Sequence, residues 1–327
     1  MISVTKLSVD ISFGDAVTVR FGQVQLLPEQ KPLLRQMNRW VIDLCRRLPA
    51  PLRDQAVLTV QQHLPRSRAD GIANFFDQYY PLSWSTLHWL VDSARLESAR
   101  ALLGPALRAQ AAALFLHQFD DHLVDGQILL DNLTLQLRTE AWMSFREDVD
   151  RLASRIEDGP AIASSMISDY LVTIYQPPEC CDLAAFEAAY RAELHTVLLT
   201  FALIAQVSGY DRDKVVTMAE SAGLAWRHLD DLRDWAADAR AGKLSRLYHS
   251  LPASGQTAWH QCVGRPADAL EWHVLRGELD KLGGTVVLSP INNHLDAAAT
   301  AATALGLPGL ARGFRTMAAP LKEVLPS

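Results

Sequence analysis

Apolar and polar positions alternate through the first stretch, from Ile2 to Phe13, break at Gly14-Asp15, and resume as Val17, Val19 and Phe21. A period of two marks a half-buried extended chain, so residues 1–27 predict a β-hairpin appended to whatever follows. From about Pro28 the apolar spacing changes to three and four residues, which is the stripe of an amphipathic helix. Breaks at Pro49-Ala-Pro51, Leu64 to Gly71, Gln176-Pro-Pro178, Pro252 to Gly255 and Gly283-Gly284 divide this region into helices. Three stretches predict long ones: about Glu97 to Leu137, Ala184 to Val207, and Lys214 to Arg240. Residues 28–327 therefore predict one all-α domain, in which long helices bury their stripes against each other and line a central cavity.

Composition narrows this picture. Of 327 residues, 49% are hydrophobic, enough for one large core. A formal charge of -6 argues against a nucleic-acid groove, so any phosphate recognition has to be local. The cysteines Cys45, Cys180, Cys181 and Cys262 form neither a disulfide framework nor a C-x-x-C metal pattern, which suits a reducing cytoplasm. Residues 1–6 lack the basic start and apolar run of a signal peptide, and the apolar stretch Val197 to Val207 is too short to span a bilayer.

Candidate chemistry sits in two acidic clusters. In Leu114 to Gly126, Asp120, Asp121 and Asp125 interrupt an otherwise apolar helix, with His117, Asp121 and Asp125 one turn apart on a single stripe. In Ala225 to Lys243, Asp230, Asp234 and Asp238 recur every four residues, Arg227 precedes them, and Gly242 reads as a helix stop followed by Lys243. Either cluster alone also fits a solvated face, the second with surface ion pairs to Arg227, Arg233 and Arg240. Two aspartate-rich helices about a hundred residues apart, with Arg191 between them, fit facing halves of a metal site better. No Glu-x-x-His pair occurs, against an oxygen-activating bundle, and no His-Asp dipeptide occurs, against that class of phosphohydrolase. Ligation by aspartate oxygens alone points to Mg2+, completed by a diphosphate.

These residues resemble the isoprenoid synthase superfamily: trans-prenyl diphosphate synthases, squalene and phytoene synthases, and class I terpene cyclases. Asp230-Asp231-Leu-Arg-Asp234 followed by Gly242-Lys243 is similar to the family's second DDxxD element, and Asp120-Asp121 with Asp125 resembles the first, in a DDxxxD spacing that leaves Asp120 and Asp121 as alternative partners of Asp125. The resemblance runs from about Phe75 to the alanine-rich stretch Asn293 to Leu305. It places Arg191 where relatives carry a diphosphate-binding lysine and Arg227 where many carry glutamine.

The resemblance implies a helical bundle around an apolar cavity, a Mg2+ cluster on Asp120, Asp121, Asp125, Asp230 and Asp234, and a prenyl diphosphate held by Arg191, Arg227 and Lys243. It also implies a homodimer as the assembly. Phe115, Phe119, Trp84, Phe201 and Trp226 lie near the motifs and are candidate cavity-wall aromatics, though an aromatic at helical spacing is more often plain core. Relatives that add isopentenyl diphosphate carry a basic element near the N-terminus and paired arginines after the first motif; here Gly126 to Asn132 follows instead. That departure favours a terpene synthase that ionises one allylic diphosphate. A prenyl diphosphate or squalene/phytoene-type synthase, and a noncatalytic partner subunit of a synthase, remain as alternatives.

Overall fold

The change of period near Pro28 becomes a run of helices. The computed structural model describes residues 11–63, 75–76, 81–94, 96–124, 126–176 and 182–325, which hold sixteen α-helices and no β-strand. In chain order they are α1 (Phe13–Ala16), α2 (Gln30–Arg47), α3 (Ala50–His63), α4 (Leu82–Ala94), α5 (Glu97–Val124) and α6 (Asn132–Ala153). There follow α7 (Gly159–Tyr175), α8 (Leu183–Glu193), α9 (His195–Ser208), α10 (Arg212–Arg233) and α11 (Trp235–Ala241). The chain continues through α12 (Arg246–Ser250), α13 (Ala253–Gln261), α14 (Leu270–Leu282), α15 (Gly284–Ala304) and α16 (Pro308–Val324).

The expected hairpin is not formed by the described residues, and the first half of it, residues 1–10, lies outside them. Residues 11–27 instead make the single turn α1 and an extended strap laid over helices. Phe13, Ala16, Val19 and Phe21 are buried, and Phe13 meets Trp235 edge-on at 5.8 Å. The strap's backbone is satisfied by the helices beneath it, since Gly284 N donates to Ile11 O at 2.7 Å and Gly22 N donates to Met317 O at 3.1 Å. Alternation reports a half-buried extended chain; it carries no information on whether the partner is a strand.

The core centres on α5 and α9. Alanines Ala106, Ala109, Ala111, Ala112 and Ala113 let α2, α4, α6 and α9 approach α5 closely, and α9 is apolar on every side and buried from Thr196 to Ala205. A buried polar link ties three helices: Gln110 of α5 donates to Ser83 O at 2.9 Å and accepts from Thr200 Oγ1 of α9. The outer side of the bundle is closed by α10, α15 and α16 packed in sequence.

Each predicted long helix is broken, and each break has a consequence. The stretch 97–137 is two antiparallel helices, with α6 opened by a reciprocal cap between Asp131 and Thr134. The stretch 184–207 bends by 63° between α8 and α9 at Leu194. No single helix among the described residues is long and apolar enough to cross a membrane; that bent pair passes by length and composition only. The stretch 214–240 breaks at Asp234, whose φ of -94° and ψ of 9° leave the helical region. Gly242 ends α11 in the left-handed conformation, φ 74°, with Lys243 N donating back to Asp238 O at 2.9 Å.

At the α8–α9 bend, α10 comes close enough that a β-carbon on Gly223 would collide with the Leu194 side chain. A methyl there can be met by a turn of the Leu194 tip, but Gly223→Val brings a branched side chain into the same space and should cost about 1–3 kcal/mol through overpacking. Thermal unfolding followed by circular dichroism checks this: a midpoint at or above that of the parent would remove the close approach from the account.

Candidate functional site

The first acidic cluster sits at the C-terminal end of α5, and helix geometry splits it. With about 100° of rotation per residue, Asp121 stays near the stripe of Leu114 and His117, whereas Phe115 and Phe119 lie on the far side. Leu114 and His117 line an apolar hollow, and Asp121 is exposed at its edge. Asp120 turns toward α6, where Arg138 Nε and an NH2 group donate to its two carboxylate oxygens at 2.6 and 2.8 Å. This bidentate pair occupies both oxygens. Asp125 lies outside the described residues.

The second cluster spans the end of α10 and the start of α11. Asp231 is 2% exposed and doubly held: its Oδ1 is 2.9 Å from Arg227 Nε, and its Oδ2 accepts from Arg246 N at 2.8 Å. Arg227 lies over the Tyr190 ring, 5.4 Å from its centroid. Burial works against the charge of Arg227, but Asp231, Tyr190, Asp230 and Glu193 outweigh it and leave the guanidinium firmly protonated. Asp230 is half-buried, Asp234 is exposed at the helix break, and Asp238 is half-buried.

These carboxylates lack enough positive charge. Burial, with Asp234, Asp231 and Asp121 beside it, pushes the Asp230 carboxyl up to about 6, against the opposing pull of Arg227. Burial and the charges of Asp231 and Asp234 push Asp238 up to about 7, although Arg227 and exposed Lys243 act the other way. Burial, Asp231 and Asp121 also raise Glu193 against Arg227. Asp121 of α5 adds a smaller push on both Asp230 and Glu193, and His117 and Trp226, one turn before Asp121 and Asp230, approach to 6.3 Å, so the two acidic segments lie on adjoining helices.

Below them lies the hollow, about 100 Å³, with a wall that includes Leu82, Leu114, Tyr190, Val197, Leu198, Phe201, Trp226, Phe314 and Met317. His117 of α5 and Trp226 of α10 close toward each other at its mouth, rings 6.3 Å apart. Of the five aromatics singled out from the sequence, Phe201 and Trp226 line this space. Phe115 and Phe119 stack on each other at 5.2 Å, and Phe115 meets Trp40 of α2 edge-on at 5.9 Å. Trp84 is buried one residue beyond Leu82 and Ser83, which do line the hollow.

The helical bundle has parallels among solved structures. The chain is similar to a polyprenyl synthase from Caulobacter crescentus complexed with calcium and isoprenyl diphosphate, with TM-score 0.65 and 13% identity over 94% of this chain and 98% of that one. It is similar to a geranylgeranyl pyrophosphate synthase from Lactobacillus brevis, with TM-score 0.63 and 14% identity over 88% and 97%. A geranylgeranyl pyrophosphate synthase from Corynebacterium glutamicum, complexed with isoprenyl diphosphate and magnesium, aligns with TM-score 0.53 and 14% identity over 90% and 100%. The chain has the isoprenoid synthase fold. No protein-family model and no curated protein sequence matches it.

Within the isoprenoid synthase fold, the three cations named from the sequence have different settings. Arg227 is part of the acidic cluster and Lys243 acts on Asp238, whereas Arg191 is paired with Glu187 at 3.5 Å and Glu220 at 3.9 Å. Residues that sequence reasoning did not assign are Arg138, which takes Asp120, and Glu193, which adds a carboxylate opposite Asp121. Arg138 stands eighteen positions after Asp120, across a helix reversal, and no spacing rule connects them.

A divalent cation fits this donor set. The donors are oxygen-only, the kind a hard ion such as Mg2+ takes, and an arriving cation would relieve the burial and neighbouring charge that push Asp230 up to about 6 and Asp238 up to about 7. The same crowding has a signed consequence without metal. A carboxyl whose folded pKa is raised binds more protons folded than unfolded between about pH 4 and its folded value, so stability falls as pH rises through that window. In metal-free buffer, Asp238→Asn should match the parent near pH 4.5 and exceed it near pH 7.5, by about 1–3 kcal/mol. Urea unfolding at the two pH values checks this, and equal stability differences at both would contradict the crowding.

Proposed function

We propose that this chain is a Mg2+-dependent enzyme acting on a prenyl diphosphate, with prenyl transfer as its reaction class. The observation that supports it best is the pair of acidic segments one turn beyond His117 and Trp226, which line an apolar hollow from α5 and α10, in a fold whose neighbours include synthases complexed with isoprenyl diphosphate. Asp121, Asp230 and Asp234, with Asp125 one turn beyond Asp121 in sequence, would hold the ions. Bound Mg2+ supplies charge neutralisation for the diphosphate as its carbon–oxygen bond breaks. Asp120 contributes by holding Arg138 and anchoring α5 to α6.

The chain's own residues bind, orient and exclude water. Arg227, held in place by Asp231 and Tyr190, and Lys243 beside Asp238 supply positive charge at the diphosphate end. Arg191 would reach the diphosphate only by exchanging Glu187 and Glu220. The hydrocarbon tail enters the hollow, where Phe201 and Trp226 present aromatic faces to an allylic cation. At about 100 Å³ the hollow is below the roughly 300–1,000 Å³ of typical ligand pockets, so binding has to widen it, with the Trp226–His117 contact as the nearest movable pair.

A second reading, ionisation of a single allylic diphosphate by a terpene synthase, is favoured by one observation. The connection from Gly126 to Asp131 carries no lysine or arginine, and Arg138, the first cation of α6, is committed to Asp120. Among the described residues, a second anionic substrate therefore meets no uncommitted guanidinium from Gly126 to Arg138.

Incubation with Mg2+ and allylic diphosphates of increasing length, with and without isopentenyl diphosphate, separates these. Elongated product that requires isopentenyl diphosphate is expected; diphosphate release with hydrocarbon product in its absence supports the second reading. No release under any condition sinks both and leaves a noncatalytic subunit. Asp121→Asn and Asp230→Asn should each lower kcat by about a hundredfold or more while leaving helicity unchanged.

A further inference from the structure

On the side of α10 turned away from Asp230, three side chains from three helices converge. Glu187 of α8, His228 of α10 and His294 of α15 each offer one ligand atom, and these atoms lie within 4.8 Å of one another. Glu187 Oε1 is 3.5 Å from His228 Nε2 and 3.9 Å from His294 Nε2, and the two imidazoles sit edge to face at 5.1 Å. Glu187 Oε2 is turned the other way, toward Arg191 at 3.5 Å. The carboxylate is thereby divided, one oxygen for a guanidinium and the other for two imidazoles.

His228 is 2% exposed, and neither of its ring nitrogens makes a hydrogen bond. A buried imidazole with both nitrogens unsatisfied is costly, and a metal ion held by one of them would relieve part of that cost. We propose that Glu187, His228 and His294 form a binding site for a borderline divalent transition metal of the Zn2+ class. Two imidazoles and one carboxylate select such an ion over Mg2+, which prefers oxygen throughout. Ligands at about 2.0–2.2 Å in tetrahedral array stand about 3.3 Å apart, so the observed separations close with small side-chain rotations. His294 and Glu187 side chains are 19% and 18% exposed, which leaves an entry path and a fourth position for solvent.

The surrounding charges set the affinity. Arg191 and Arg246 both oppose a cation here, but each is shared, Arg191 with Glu220 and Arg246 with Asp231. Filling the site would clamp α10 to α8 and α15 two residues before Asp230. The inference is independent of the proposed reaction.

Co2+ is the probe, added to the metal-free full-length Asp230→Asn protein so that the aspartate cluster is disabled. An intense visible ligand-field spectrum, characteristic of a low-coordinate nitrogen-containing site, is expected at one equivalent, with displacement by Zn2+ but not by Mg2+. Glu187→Gln and His294→Ala, each verified as folded by circular dichroism, should weaken binding at least about tenfold. Histidine-ring NMR of the unmutated protein gives a reading that needs no variant, since Zn2+ should shift two imidazoles. Absence of the Co2+ spectrum, survival of it in both variants, or unmoved His228 and His294 resonances overturns the proposal.

Discussion

Repulsion among carboxylates gathered at one end of an apolar hollow is the constraint around which this molecule is arranged. Asp121 reaches across from α5 to act on Asp230 and Glu193, while Asp231 and Asp234 press on the same region from α10. Partial burial of Asp230 and Glu193 strengthens what these two feel, although Asp121 and Asp234 stand exposed. A protein built only for stability would place apolar side chains there. Concentrating negative charge beside a greasy cavity is what the proposed function would require, with a cation and an anionic head group arriving together above a hydrocarbon tail.

The arginines partition that charge. Arg138 engages both oxygens of Asp120 and braces α5 against α6, and Arg227 holds Asp231 one turn along α10 while stacking on Tyr190. Asp121, Asp230 and Asp234 lie outside those two pairs, on two segments of the chain. The break at Asp234 matters here, because it frees the following turn from the line of α10 and lets Asp238 and Lys243 address the cluster from a different direction.

Behind the cluster, α10 is held by contacts of another kind. Gly223 lets it approach the bend at Leu194, and His228 points into a pocket of polar groups shared with α8 and α15. Both lie on the helix that carries the second acidic segment. The position of Asp230 and Asp234 relative to α5 therefore depends on packing several turns away from either residue.

The all-α body, the break at Gly242, and both acidic segments were legible in the sequence, because helical periodicity, a left-handed cap and carboxylates on an apolar stripe are local signals. The placement of Phe115 and Phe119 away from the hollow was also contained there: each stands two residues, about 200° around the helix, from His117. What only the tertiary structure decided were relations between segments distant in sequence. Arg138 finds Asp120 across a helix reversal, Arg191 turns to Glu187 and Glu220, and Glu187, His228 and His294 meet from three helices. The alternating N-terminal stretch became a strap over helices for the same reason, since periodicity records which side of a segment is buried and packing alone decides what buries it.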